Sequence, residues 1–280
     1  MNFMKRVAQR WEEHNTLVCV GLDSQYDRIP EHIRGGMDVA KSILTFNISI
    51  VQATADLVCC YKPNFAFYLE MGLEGLRALK GTIKYIHTRY GIPVLLDGKW
   101  QDIGNTSLAY ARGVFDELEA DAITMHPYLG AEASAPFLDR MNKGIFVLCR
   151  TSNSGAGEFQ DHPHNNESIP LYELVAKNVA TTRWNYNDNC GLVVGATYPE
   201  ELARVRGIAP NLPLLIPGLG AQKGDAEATV KAGVDANGVG AIINSSRSII
   251  FASSGEDFAE AARAKTRELR NNINLYRLFR

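Results

Sequence analysis

No apolar run in this sequence approaches the ~20 residues that a membrane-spanning helix needs. The opening stretch, MNFMKRVAQRWEEHN, holds no apolar segment of signal-peptide length. Cysteine is scarce and poorly spaced for a metal: Cys19, Cys59, Cys60, Cys149 and Cys190 form no ligand pattern, and an odd number cannot all pair. Each sits in or beside an apolar run such as Leu17-Val18-Cys19-Val20, the place of a small buried hydrophobe in a reducing compartment. Excess charge of either sign is also missing. Lys and Arg total 29 against 31 Asp and Glu, a net charge of -2, which argues against a general nucleic-acid or membrane-surface binder. There is no low-complexity tract, no linker and no break in composition. Together these absences leave a soluble, cytoplasmic globular protein as the expectation.

What is present is a rhythm. Short continuous apolar runs recur at 17–22, 57–61, 93–96, 122–125, 145–148, 191–194, 212–216 and 234–243. Continuous rather than alternating runs are the pattern of parallel strands buried on both faces. Amphipathic segments lie between them: Leu108, Ala111, Phe115 and Leu118 share one helix face, as do Leu171, Val175 and Val179, with Lys177 and Arg183 turned elsewhere. Eight strand–helix units predict a (β/α)8 TIM barrel, one domain over residues 1–280, with a doubly wound open sheet as the structural alternative. Two segments fall outside the rhythm and read as extra loop, 24–37 and 152–168. The second contains His162 and His164, which lack a third ligand and read as solvated loop.

In such a barrel the chemistry sits at the C-terminal ends of the strands. Asp23 follows Val20-Gly21-Leu22, Lys62 follows Cys59-Cys60-Tyr61, and Asp97 and Lys99 follow Val94-Leu95-Leu96. His126, Ser152 and Pro217-Gly218 end the fourth, fifth and seventh runs. The densest signal is LLDGKWQDIGNT, residues 95–106. Alternation along a strand puts Asp97 and Lys99 on one side and Trp100 on the other, among the helices. Asp102 lies where strand gives way to loop, and Asn105 or Thr106 suits the cap of the next helix. A charged pair at the end of an apolar strand is costly to desolvate unless further charges or a ligand complete it, so a functional reading outweighs a solvated cluster. Phosphate in these barrels sits between the loops after strands seven and eight. Here those loops carry Gly218, Gly220 and Gly224, permitting close backbone approach, and Arg247, able to grip two phosphate oxygens.

The run Asp97-x-Lys99-x-x-Asp102-Ile103-x-Asn105-Thr106 resembles the signature of orotidine 5′-monophosphate decarboxylases. Gly21-Leu22-Asp23, Tyr61-Lys62-Pro63-Asn64, the segment Pro217-Gly218-Leu219-Gly220-Ala221-Gln222-Lys223-Gly224-Asp225, and Arg247 within Asn244-Ser245-Ser246-Arg247 resemble further motifs of that family, in the right order. The two extra loops, and Ile-Asn-Ser-Ser-Arg in place of Val-Gly-Arg, resemble its longer bacterial branch. The resemblance implies conversion of orotidine 5′-monophosphate (OMP) to uridine 5′-monophosphate (UMP) and carbon dioxide in pyrimidine biosynthesis, with no cofactor and no metal. It implies that Lys62, Asp97, Lys99 and Asp102 carry the chemistry, with Lys99 stabilising charge on the ring carbon and delivering the proton. Asp23 then contacts the ribose, and Arg247 the phosphate. Pro217, Gly218 and Gln222 belong to a loop that closes over substrate. Ser152 is assigned to the pyrimidine edge, with Thr151 and Ser154 close by. Asp102 and Thr106 reach the neighbouring subunit's site, so a homodimer is implied.

Three rival functions share parts of this pattern. Magnesium-dependent sugar-phosphate enzymes such as 3-keto-gulonate-6-phosphate decarboxylase share the Asp-x-Lys-x-x-Asp core but need another acid at a strand end, and Lys62 stands where it is expected. A silent uridine-nucleotide sensor would have lost the charged tetrad, which is complete here. A Schiff-base aldolase needs a more nucleophilic lysine than one set between carboxylates.

Overall fold

The computed structural model describes residues 1–164, 168–219 and 226–277. Eight strands form the interior: β1 (Val18–Leu22), β2 (Cys60–Pro63), β3 (Leu95–Trp100), β4 (Ala122–Met125), β5 (Gly144–Arg150), β6 (Cys190–Val194), β7 (Leu214–Pro217) and β8 (Ala241–Ser245). They lie in the order β2-β1-β8-β7-β6-β5-β4-β3, every neighbour parallel. Parallel bridges from Tyr61 to Val94 and from Asn64 to Asp97 join the two ends, and the Tyr61 N–H donates to Pro93 at 3.1 Å. The sheet is therefore a closed (β/α)8 barrel, and the open-sheet alternative falls. Around it run α2 (Val39–Thr54), α3 (Gly72–Tyr90), α4 (Gly104–Arg112), α5 (Gly130–Leu138), α6 (Leu171–Val179), α7 (Pro199–Ile208), α8 (Ala226–Gly233) and α9 (Phe258–Arg277), preceded by α1 (Phe3–Glu13). Among the described residues no helix is long and apolar enough to cross a membrane.

The closed end is filled by side chains. Phe3 of α1 meets Phe146 edge-on at 5.8 Å, and a Cβ on Gly144 would lie 2.5 Å from its ring. Burying such a ring stabilises by ~1.5–3 kcal/mol. Asp121, just before the start of β4, accepts hydrogen bonds from Arg6 of α1 (2.5 Å), His87 of α3 (2.7 Å) and the Val94 N–H (2.8 Å). Burial alone would raise its pKa, but His87, Arg6 and that N–H outweigh it and hold the carboxyl below the ordinary range. Arg206 of α7 is buried and donates to the carbonyls of Ala209, Pro210, Leu212, Gly233 and Gly240 at 2.7–3.3 Å. One guanidinium thus satisfies backbone acceptors at the entries to β7 and β8. All five cysteines are free and buried, as expected from their apolar neighbours.

Three expectations change. The last strand begins at Ala241 rather than 234, because 235–240 form a turn: Asp235 Oδ1 accepts from Asn237 N (2.8 Å) and Val239 N (3.1 Å), with Gly238 and Gly240 at φ 73° and 77°. The helix after β3 is capped by neither Asn105 nor Thr106; both lie in its first turn, and the N-cap is Ile103 without a side-chain bond. The helix thus starts two or three residues earlier than expected, and Asp102 Oδ1, just before it, takes the Ile103 N–H at 2.7 Å. The segment 152–168 has structure of its own, a helical turn at Gly157–Gln160 and a two-residue antiparallel pairing of Pro163–His164 with Ile169–Pro170. Arg150 at the end of β5 anchors it, donating to Gln160 (3.4 Å) and Asp161 (3.2 Å) while stacking over Tyr198 at 4.5 Å.

Candidate active site

A cavity of about 360 Å³ opens at the C-terminal ends of the strands. At its floor Asp97 of β3 lies between two lysines: Lys62 Nζ is 3.0 Å from Oδ2 and Lys99 Nζ 2.6 Å from Oδ1. Lys62 and Asp97 are buried, whereas the Lys99 side chain keeps 51% of its surface and reaches into the cavity. Burial by itself would neutralise both members of the inner pair. For Lys62 that cost is outweighed by the carboxylates of Asp97 and Asp23, which lift its pKa above the ordinary lysine value. For Asp97 the same cost is outweighed by Lys62 and Lys99, which hold it well below the usual carboxylate range. The cluster is therefore charged: a fixed anion between two cations. Asp23, at the end of β1, lines the same wall, and its Oδ1 is buried with no hydrogen-bond partner among the described residues.

Asp97 and Lys99 meet, but not by simple pleating. Pairing of β3 with β4 slips between Leu96 and Trp100, and Lys99 takes a left-handed φ of 53°. Gly98 is required there, since a Cβ would lie 2.3 Å from the Trp100 indole folded over it. Trp100 packs against Phe65 (4.8 Å) and Tyr110 (5.6 Å), away from the cavity as its position predicts. Thr124 of β4 fills the bulge. Its hydroxyl accepts from Gly98 N (3.2 Å) and Lys99 N (3.0 Å) and donates to Asp97 Oδ1 (2.8 Å).

The opposite wall comes from β7 and β8. Pro217 and Gly218, the latter at φ 102°, meet Asn244, Ser245, Ser246 and Arg247 there. Gly21 permits this approach, because a Cβ on it would sit 1.9 Å from Ser246 Oγ. Ser152 lines the cavity at the end of β5. Of the neighbouring hydroxyls, Thr151 is engaged by Asn153 (2.7 Å) and Gln160 (2.8 Å), and Ser154 is exposed outside the lining.

Asp23, Lys62, Asp97, Lys99, Ser152, Pro217, Gly218 and Arg247 thus share one cavity. Asp102 and Thr106 do not line it; Thr106 borders an outer apolar groove with Phe65, Trp100 and Tyr110. Gln222 lies outside the described residues. His126 lines a separate cavity of about 520 Å³ beneath α6, where burial pushes its imidazole pKa down. Sequence reasoning missed Thr124, and it gave no site role to Asn64 or Asn244, although both stand in the motifs above. A polar residue inside or directly after an apolar strand, as in Ala122-Ile123-Thr124-Met125, was the available signal. Among the described residues no group of three or more His, Cys, Asp or Glu is placed to hold a metal ion.

A closed barrel with a cation–anion–cation cluster at one side of its mouth, its inner pair buried, and glycine and arginine at the other, defines a barrel enzyme for a small anionic substrate. The profile of the Orotidine 5'-phosphate decarboxylase / HUMPS family matches residues 16–264, and the chain belongs to that family. It is 48% identical over 278 residues to the orotidine 5'-phosphate decarboxylase of Azoarcus sp. (strain BH72), covering 99% of this chain and 100% of that one. Against that of Cellvibrio japonicus (strain Ueda107) it is 45% identical, with the same coverage. Among solved structures, Leishmania donovani OMP decarboxylase superposes with a TM-score of 0.82 at 37% identity, covering 98% of this chain and 99% of that one. Leishmania donovani UMP synthase gives 0.87 at 38% identity; it covers all of this chain, which spans 57% of its length.

Proposed function

We propose that this protein decarboxylates orotidine 5′-monophosphate to uridine 5′-monophosphate in pyrimidine nucleotide biosynthesis, using neither metal nor cofactor. The observation that carries the reading is Asp97 held ionised between Lys62 and Lys99 at the cavity floor. When the ring–carboxylate bond breaks, its electron pair stays on a ring carbon that cannot delocalise it. Catalysis therefore requires a preplaced positive charge and a proton. Lys99 is half-exposed toward the cavity, carries an ammonium, and is fixed by Asp97 at 2.6 Å. It stabilises the pair as carbon dioxide leaves and then gives up its proton to that carbon. Asp97 lies against the departing carboxylate, and Lys62 from beneath keeps it ionised. Fixed donors of this kind are worth ~10²–10³ in rate.

The rest of the cavity fits a nucleotide. Asp23 Oδ1, unpartnered among the described residues, suits acceptance from ribose hydroxyls. Arg247 and the backbone at Gly218 suit the phosphate, and the Ser152 hydroxyl and N–H suit the pyrimidine edge. Asp102 and Thr106, outside their own chain's cavity, serve a partner's in a homodimer. Tyr110 (42% exposed) shares the outer apolar groove with Thr106, and Ile103 next to Asp102 is 60% exposed, which supports such an interface.

The test is the ultraviolet absorbance change of OMP with purified protein in excess EDTA, run beside Lys99→Ala. Rapid conversion by the wild type alone supports both the reaction and the proton donor. A wild type that binds UMP without turning over OMP sinks the decarboxylase reading and leaves a nucleotide sensor.

A further inference from the structure

Thr124 belongs to no motif, yet its hydroxyl touches the two residues on which the proposed chemistry depends. It is 1% exposed and sits at the middle of β4 facing the cavity. A threonine hydroxyl has one proton to give and two lone pairs to receive. Here both lone pairs are taken by backbone N–H groups, Gly98 at 3.2 Å and Lys99 at 3.0 Å. The single proton is left for Asp97 Oδ1, 2.8 Å away, the same oxygen that Lys99 Nζ grips at 2.6 Å. Every hydrogen-bonding capacity of the group is spent, and each bond ends on the Asp97–Lys99 segment.

That segment needs outside support. Lys99 holds a left-handed backbone (φ 53°) that a non-glycine residue keeps only where its surroundings enforce it. The β3–β4 ladder is interrupted here, so strand pairing does not enforce it. The two N–H bonds to Thr124 replace the missing ladder bonds and fix where the Lys99 side chain departs. The third bond fixes the carboxylate that receives its ammonium.

We propose that Thr124 is the positioning residue of this site: its hydroxyl holds the Lys99 bulge and the Asp97 carboxylate in register, setting the proton donor's place rather than binding substrate. This rests on the decarboxylase reading above. The test compares Thr124→Val, which keeps the shape and removes the hydroxyl, with Thr124→Ser, which keeps the hydroxyl. Thr124→Val is expected to lower kcat ~10–100-fold, as a displacement of about 1 Å does, with KM for OMP and Kd for UMP within about threefold of wild type. Thr124→Ser is expected to restore kcat to within about threefold. In the crystal structure of Thr124→Val, the Lys99 Nζ to Asp97 Oδ1 separation is expected to open from its 2.6 Å. A Thr124→Val enzyme with unchanged kcat, or a Thr124→Ser enzyme as impaired as the valine variant, overturns the proposal. If the wild type does not turn over OMP, the decarboxylase reading fails by itself. The crystal structures then decide the positioning claim: an intact bulge and unchanged contact in Thr124→Val reject it.

Discussion

At the scale of single residues, the site is a problem in keeping charges where burial opposes them. Asp97 carries such a cost, and two lysines offset it. Asp97→Asn removes the anion but leaves Lys62 buried without its carboxylate, so two effects should separate. Turnover of OMP is expected to fall by at least ~10²-fold. The melting temperature should drop as well: Asp23 stays near Lys62 but its salt-bridge partner is gone, and breaking a buried pair costs up to ~3–5 kcal/mol. Calorimetry beside steady-state kinetics checks both, and an Asp97→Asn protein as stable as wild type would contradict the account of Lys62. Gly98 makes a complementary point. Gly98→Ala places one methyl 2.3 Å from the Trp100 indole, so the bulge must shift and carry Lys99 with it. A kcat at least tenfold down with the fold retained is the expected result, read from kinetics and circular dichroism. The sequence made the identities of Asp97, Lys99, Lys62 and Asp23 legible, because charged residues at the ends of apolar strands have few structural uses. It did not reveal how Asp97 and Lys99 meet, since that depends on a hydroxyl from the next strand, 25 positions further along the chain from Lys99.

At the scale of elements, strand positions were readable and their edges were not. Continuous apolar runs located all eight strands because both faces are buried. The start of β8 shifted because the Asp235 turn lies within an apolar-looking stretch, and the helix after β3 gained a π turn at Gly113–Glu117. Composition marked 152–168 as loop, but the anchor lies outside it, in Arg150. Arg150→Met should release Gln160 and with it the arrangement of Thr151 and Ser152. A severalfold rise in KM for OMP with a smaller change in kcat is expected from initial-rate measurements. At the opposite end of the barrel, Asp121 joins α1, α3 and β4. Its folded pKa is depressed, so its stabilisation is present above the unfolded value of ~3.9 and lost as pH falls through the folded one. Asp121→Asn should lower stability at neutral pH, and the gap to wild type should narrow below about pH 4 in urea melts.

At the scale of the whole molecule, one chain supplies a cavity containing Lys62, Asp97 and Lys99 while leaving Asp102 and Thr106 outside it. Asp102 spends one oxygen on the Ile103 N–H and lies in a surface region with exposed Ile103 and Tyr110. If a partner subunit receives that face, each site draws Lys99 from one chain and Asp102 from the other. Subunit mixing tests this arrangement more sharply than an oligomer measurement does. Lys99→Ala and Asp102→Asn homodimers should each be nearly inactive, since every site in either carries one defect. When equal amounts exchange subunits at random, half of the dimers are mixed. In each mixed dimer one site collects both defects and the other collects neither. Activity should therefore recover to about a quarter of the wild-type value, the arithmetic of a two-fold assembly with shared sites. If Asp102 instead serves its own chain, no intact site can form and mixing restores nothing, whatever the oligomeric state.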